Sequence, residues 1–261
     1  MLQAVTGTGA VPAVTAVVRG VPRAGLETRE LKRFLDRDDI PKVSARDLAA
    51  AVAARRDGAT TVAAAIALAH RAGIAVFATG GIGGVHRGAG HDESADLVEL
   101  SRTPVIVVCS GAKAILDLEA TAERLESLGV TVVGFQTDMM PAFYSRETGI
   151  AVSVRVDRAD EVAAVYRAHR ALGRPGSLLV VQSPPAATAL PAGTVERAVT
   201  GGLRSAAREK VRGGAVTPFL LNAVAKATRG RSLAANLALL ELNAGLAGEI
   251  AVAVAVARNN R

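Results

Sequence analysis

The chain has 261 residues, a net charge of +7 and a pI of about 10.3, with 50% hydrophobic, 21% charged and only 3% aromatic residues. That composition excludes a disordered chain and suffices for a large α/β core built from Ala, Val, Leu and Ile. The positive charge would suit nucleic acid or a phosphorylated small molecule, but the basic residues are scattered and stacking platforms are scarce, which argues against nucleic acid as the main ligand.

Cys109 is the sole cysteine, so the sequence predicts no intrachain disulfide and a reducing, cytoplasmic setting. No C-x-x-C or H-E-x-x-H word marks a zinc site. The start, Met1-Leu2-Gln3-Ala4-Val5-Thr6-Gly7, lacks the pattern of a signal peptide. The apolar stretch from Ala234 to Ala257 is broken by Glu241, Asn243 and Glu249, so no membrane span is expected.

In chain order, Val14–Val18 reads as a strand and Thr28–Leu35 as a charged helix with Thr28 as N-cap. Ser44 is placed to cap an alanine-rich helix running to about Arg56. A further helix after Thr61 is apolar nearly all round and should be buried. Strands are predicted at 74–78, 105–109, 130–135 and 177–181, and helices at 94–100, 115–128, 160–172, 195–210, from Thr217 and from about Ser232 to Ala257. Short apolar strands alternating with helices predict an α/β protein: a mostly parallel sheet covered by helices on both faces, forming one domain over 1–261. Ligands in such folds sit beyond the carboxyl ends of the strands.

Three constellations fall there. Gly80-Gly81-Ile82-Gly83-Gly84 follows a strand but is not a dinucleotide fingerprint, since the third glycine position is His86. It reads either as a turn needing positive φ or as bare backbone that a substrate can approach. Asp92 and Asp96, four apart, can share a helix face, either to complement the helix dipole or to hold a divalent cation. The helix start at Ser94 also suits a phosphate. Lys113 follows a strand and a Ser-Gly-Ala turn and is read as opening a helix, where burial and positive potential favour the neutral, nucleophilic amine. The plain alternative is a phosphate-binding or solvated lysine. Lys42, between Pro41 and Val43, is read as an anion ligand, and Cys109 as a buried small hydrophobe.

Longer words then coincide with one family. They are Lys42-Val43-Ser44 with Arg46-Asp47-Leu48, Asp57-Gly58-Ala59-Thr60-Thr61-Val62-Ala63, and Val76 through Ala89 with its glycine-histidine core. Ser94-Ala95-Asp96-Leu97, Gly111-Ala112-Lys113, Pro141-Ala142-Phe143-Tyr144, Thr217-Pro218-Phe219-Leu220-Leu221 and Ser232-Leu233-Ala234-Ala235-Asn236 complete the set. From about Gly9 onward the chain resembles the pseudouridine-5′-phosphate glycosidases, also called the indigoidine synthase A-like family. The resemblance implies a reversible lyase that splits pseudouridine 5′-phosphate into uracil and ribose 5-phosphate with a bound Mn2+-type ion. It implies that Lys113 forms the imine, that Asp92 is the metal ligand, and that Lys42, Val62, Ser94, Ala95 and Asp96 hold the sugar phosphate. His86 and Asn236 match residues near the base, and the family assembles as homotrimers.

Two departures accompany the resemblance. The family carries an upstream Ala-Leu-Glu-Ser-Thr word whose glutamate is the general acid/base, and the sequence reads as lacking that N-terminal segment. Its first acids, Glu27 and Glu30, lie in a surface helix instead. The family's Asn-Pro-Ile-Pro word is Ser183-Pro184-Pro185-Ala186 here. A catalytically impaired paralogue that only binds sugar phosphate is therefore the second expectation, and an RNA-associated protein, motivated by charge alone, the third.

Overall fold

The structure is a computed structural model that describes residues 1–88, 92–146 and 148–259, with side chains up to Ala257. The chain opens with a short helix, α1 (Leu2–Thr6), then the hairpin β1 (Thr15–Val18) and β2 (Val21–Ala24), and helix α2 (Thr28–Leu35). Strand β3 (Lys42–Val43), a 3-10 turn at Ala45–Asp47, helix α3 (Leu48–Ala53) and strand β4 (Gly58–Thr60) follow. These four strands form a small sheet of their own, ordered β2-β1-β4-β3, with β1 antiparallel to both neighbours and β3 parallel to β4.

Helix α4 (Val62–Arg71) leads into β5 (Val76–Ala78), the glycine turn, β6 (Val85–His86), α5 (Ala95–Arg102) and β7 (Ile106–Cys109). Next come β8 (Leu116–Asp117), α6 (Leu118–Ser127), β9 (Thr131–Phe135), β10 (Val154–Val156), α7 (Ala159–Ala171) and β11 (Leu178–Val181). Helices α8 (Ala192–Arg208), α9 (Val216–Ala227) and α10 (Arg231–Asn259) close the chain. The main sheet is five-stranded and wholly parallel, ordered β10-β9-β11-β7-β5. A two-stranded antiparallel ribbon, β6-β8, lies apart from it.

Alternate residues of the central strands supply two separate cores, as a sheet covered on both faces requires. Val107, Cys109, Leu179 and Val181 pack into one. Ile106, Val108, Leu178 and Val180 pack into the other, with Leu246, Ile250 and Val254 of α10. The expected α/β architecture is present, and β5, β7, β9 and β11 lie where the apolar runs placed them. Strand β1 belongs to the small sheet rather than the main one, because its partner is the hairpin strand β2 and then Gly58–Ala59. The helix expected from Ile115 begins only at Leu118, because Leu116 and Asp117 pair with Val85 and His86 and Asp117 caps the helix. Thr28 is the first helical residue and Glu27 the N-cap, with the Glu30 carboxylate accepting from the Glu27 N–H at 3.0 Å.

Helix α10 is, among the described residues, the one helix long and apolar enough to cross a membrane. Its apolarity has a packing reason: Ala235, Leu239, Ala244, Ala247 and Ile250 are buried in the protein's own core. Strand β5 is the edge of the main sheet, and its outer side faces an apolar cavity of about 650 Å³ lined from α1, β1, α2, β4 and α10.

Candidate active site

Beyond the ends of β5 and β7 the two chains stay stitched together. Ser110 N–H donates to the Gly80 carbonyl at 2.9 Å, Ile82 N–H to Gly111 at 3.1 Å, and Lys113 N–H to Ile82 at 3.1 Å. The glycine turn is therefore held against the segment that delivers Lys113. Of the two readings of its glycines, the one that needs positive φ fails. Gly80, Gly81, Gly83 and Gly84 all have ordinary φ, so no left-handed turn demands them. The protein's own side chains do: a Cβ on Gly83 would overlap Ser94 and the Asp96 carboxylate, and one on Gly81 would stand 2.6 Å from the Phe143 ring.

Asp96 is 5% exposed, and both its oxygens are occupied. Oδ1 accepts from the Ala63 N–H at 2.9 Å and Oδ2 from the Gly83 N–H at 2.8 Å. The carboxylate thus joins the start of α4 to the glycine turn. Ser94 caps α5, accepting from the Asp96 N–H at 3.2 Å. Asp92 does not share a face with Asp96, contrary to the spacing argument. The helix starts at Ala95, so Asp92 lies before it, exposed, while Asp96 turns inward. Ala95 is exposed, and Val62 is half-buried at the start of α4 beside Ala63.

The Lys113 amine is held below the ordinary lysine range, first by burial and further by the positive charge of Lys42, against the opposing pull of Asp96. The expected helix N-terminus plays no part, since β8 intervenes between Lys113 and α6. Lys42, exposed on β3, is the neighbouring cation instead. Cys109 is fully buried and its thiol is pushed up to about 12, which fits a packing role.

Lys113 and Asn236 face one cavity of about 290 Å³, closed by Thr79, Gly80, Gly81, Phe143, Tyr144 and Ser232 among others. Phe143 and Tyr144 meet edge to face at 4.6 Å, and burial raises the Tyr144 phenol despite its hydrogen bond to Ser232. His86 is held by its N–H to the Asp92 carbonyl at 2.9 Å and does not line this cavity. The structure thus brings Lys113 and Asn236 together, places Lys42 and Asp96 within electrostatic reach, and leaves Asp92, His86, Val62 and Ala95 off the cavity wall. Phe143, Tyr144 and Ser232 stood in the sequence words without a role. Asn243, wholly buried on α10, was visible only as a polar break in an apolar stretch. His91 lies outside the described residues. His169, without an evident partner in the sequence, bonds through Nε2 to the Gly176 carbonyl at 2.9 Å.

The profile described as indigoidine synthase A like protein matches residues 1–253. The chain belongs to this family. A pseudouridine-5′-phosphate glycosidase of Gemmatimonas aurantiaca is 59% identical over 254 residues, covering 97% of this chain and 83% of that protein. One from Herpetosiphon aurantiacus is 50% identical over 248 residues, covering 94% and 82%. Among solved structures, the prealnumycin C-glycosynthase AlnA in complex with ribulose 5-phosphate superposes with a TM-score of 0.94 at 40% identity, covering 99% of this chain and 86% of that one. The indigoidine synthase A-like protein of Thermotoga maritima gives 0.87 at 39% identity, covering 96% and 84%.

In this indigoidine synthase A-like chain the donor set bears on the expected metal. Among the described residues no three His, Cys, Asp or Glu side chains converge as a cage. Asp92, exposed and in no ion pair among the described residues, fits a hard cation that keeps water or substrate in its other positions. A closed, all-protein site does not fit.

Proposed function

We propose that the protein is a pseudouridine-5′-phosphate glycosidase, a lyase that reversibly breaks the carbon–carbon glycosidic bond of pseudouridine 5′-phosphate. The observation that carries the reading is the half-buried Lys113, its amine held below its ordinary pKa and facing a cavity with Asn236. A neutral amine is what imine formation with a sugar carbonyl needs. The family relatives named for this activity and the AlnA complex with a pentulose phosphate support a sugar phosphate as ligand.

In the cleaving direction Lys113 Nζ bonds to ribose C1 while the ring oxygen departs and takes a proton. The bond from C1 to uracil C5 then breaks as the nitrogen lone pair forms the C=N bond, and C5 leaves as it accepts a proton. Water hydrolyses the imine, returning the amine and releasing ribose 5-phosphate. Lys42 and the Ser94-Ala95-Asp96 helix start, with Val62, would hold the sugar phosphate; His86 and Asn236 would lie toward the base. Asp92 would hold a hydrated divalent ion of the Mn2+ type, which would supply positive charge beside the bound anion.

The second reading is a sugar-phosphate binder that condenses but does not release base. It is favoured by one observation: no carboxylate lines the cavity among the described residues, and Glu27 and Glu30 stand in ion pairs with Arg29 and Arg23 at the surface. Without a placed acid, protonation of C5 would lose roughly 10²–10⁴-fold. The family's trimeric assembly comes to this chain as part of the proposal, supported by Leu233 at the cavity and Leu237 one turn on, both exposed on α10.

Borohydride reduction in the presence of ribose 5-phosphate and Mn2+, read by peptide mass spectrometry beside a uracil-release assay, tests both readings. An adduct on Lys113 with uracil release establishes the glycosidase. An adduct without release establishes the condensing binder, and the absence of any adduct removes Lys113 from the reaction.

A further inference from the structure

Asn243 has no exposed surface, and it lies near the middle of the long apolar helix α10. A buried amide there costs free energy unless each of its donors and acceptors is used. They are used, on three separate strand ends. Nδ2 donates to the Thr79 carbonyl at 2.9 Å and lies 3.4 Å from the Gly80 carbonyl, both just past β5. Oδ1 accepts from Gln182 Nε2 at 3.0 Å, just past β11. Ser110 Oγ, just past β7, lies 3.3 Å from Nδ2 and 3.4 Å from Oδ1. Two carbonyls on one side and an amide N–H on the other fix which way the side chain points.

The partners past β5 and β7 continue into the cavity. Thr79 and Gly80 are part of its wall. Ser110 opens the segment that ends at Lys113, and its carbonyl accepts from the Phe143 N–H at 3.0 Å. Asn236 lies seven residues before Asn243, on the same face of the same helix, and reaches the cavity from there. One buried amide therefore sets the register between the glycine turn, the lysine segment and the helix that carries Asn236.

We propose that Asn243 is a positioning residue for the Lys113 reaction, acting through the Thr79–Gly80 carbonyls and Ser110 rather than by touching substrate. The inference rests on the reading of Lys113 as the imine-forming amine. A nucleophile displaced by an ångström relative to its bound carbonyl loses rate far more than affinity, on the order of a hundredfold. Replacing the amide by an apolar side chain of similar size leaves the core filled and releases the clamp, at the cost of leaving the Gln182 amide and the Thr79 carbonyl without this partner.

The test uses the full chain and borohydride trapping with ribose 5-phosphate, measured as a rate against sugar-phosphate concentration, with the melting temperature of each variant. Asn243→Leu is expected to lower the saturating rate tenfold or more while the half-saturating concentration moves less than threefold. Val254→Ala, a cavity on the same helix away from the site, is the matched control and is expected to lower the melting temperature without changing the rate constant. Should Asn243→Leu fail to fold, Gln182→Leu frees the same amide from its outer partner, and a rate loss of about threefold or more at unchanged half-saturation is expected. A saturating rate within twofold of wild type for a folded Asn243→Leu, or for Gln182→Leu if that variant is the one that folds, overturns the proposal. So does an equal loss in Val254→Ala, which would make the effect one of stability. No trapping in the wild type removes instead the reading of Lys113 on which the proposal stands.

Discussion

The Asp96 carboxylate acts on the Lys113 amine although both its oxygens are already held by the backbone N–H groups of Ala63 and Gly83. It is a fixed charge, oriented by main chain, within electrostatic reach of the proposed nucleophile. Lys42 acts on the same amine with the opposite sign.

That opposition gives a paired prediction. Imine formation needs the neutral amine, so the trapping rate rises with pH through the Lys113 midpoint, below the ordinary lysine value. Asp96→Asn removes the charge that raises this midpoint and moves the profile to lower pH. Lys42→Met removes the charge that lowers it and moves the profile to higher pH. Shifts in the same direction, or none in either variant, would show that the two charges do not set the amine's state.

Lys113 itself works against stability. Its native pKa lies below the value of about 10.4 in an unfolded chain, so between the two the unfolded state binds more protons and stability rises with pH. The cost is complete below the native pKa and vanishes above the unfolded one. Lys113→Met should therefore melt higher than wild type at neutral pH and below, the advantage shrinking toward pH 10, while trapping disappears. A variant melting lower than wild type across that range would contradict the burial of a costly charge.

Gly83→Ala tests the packing account of the glycine turn. The added methyl meets Ser94 and the carboxylate of Asp96, and both are anchored by backbone hydrogen bonds and cannot yield freely. We expect a loss of about 1–3 kcal/mol in urea unfolding, together with weaker binding of ribose 5-phosphate by calorimetry. Gly88→Ala is the contrast at positive φ: nothing stands within 4 Å of the added atom, so strain rather than overlap is tested there.

The parts of this protein legible in the sequence are those whose cause is local. Strands β7 and β11 are unbroken apolar runs because both faces of the sheet are covered, and such runs announce themselves. Strands β3, β6 and β8 are two residues long and hold no period to read. Lys113 was legible as a lysine leaving a strand end, and burial as the first cause of its depressed pKa, but the source of the positive potential was not, since Lys42 reaches it from a different sheet. The spacing of Asp92 and Asp96 misled because it presumes a helix through both, and the helix begins at Ala95. Asn243 was hidden for a tertiary reason: its partners Thr79 and Gln182 are 164 and 61 residues away in sequence.

The outer edge of β5 gives the last prediction. Thr79 N–H donates to Val108 at 3.0 Å and the Ala75 carbonyl accepts from Ile106 at 2.8 Å, so odd-numbered positions pair with β7. The alternation of a parallel ladder then turns the N–H and C=O groups of Val76 and Ala78 away from it, toward the 650 Å³ apolar cavity. Unpaired strand edges invite another strand. In the isolated chain the amides of Val76 and Ala78 should exchange with deuterium faster than that of Thr79 by on the order of a hundredfold or more. Protection equal to that of Thr79 would mean that the edge is covered in solution. Loss of that protection on dilution would identify a second chain as the cover.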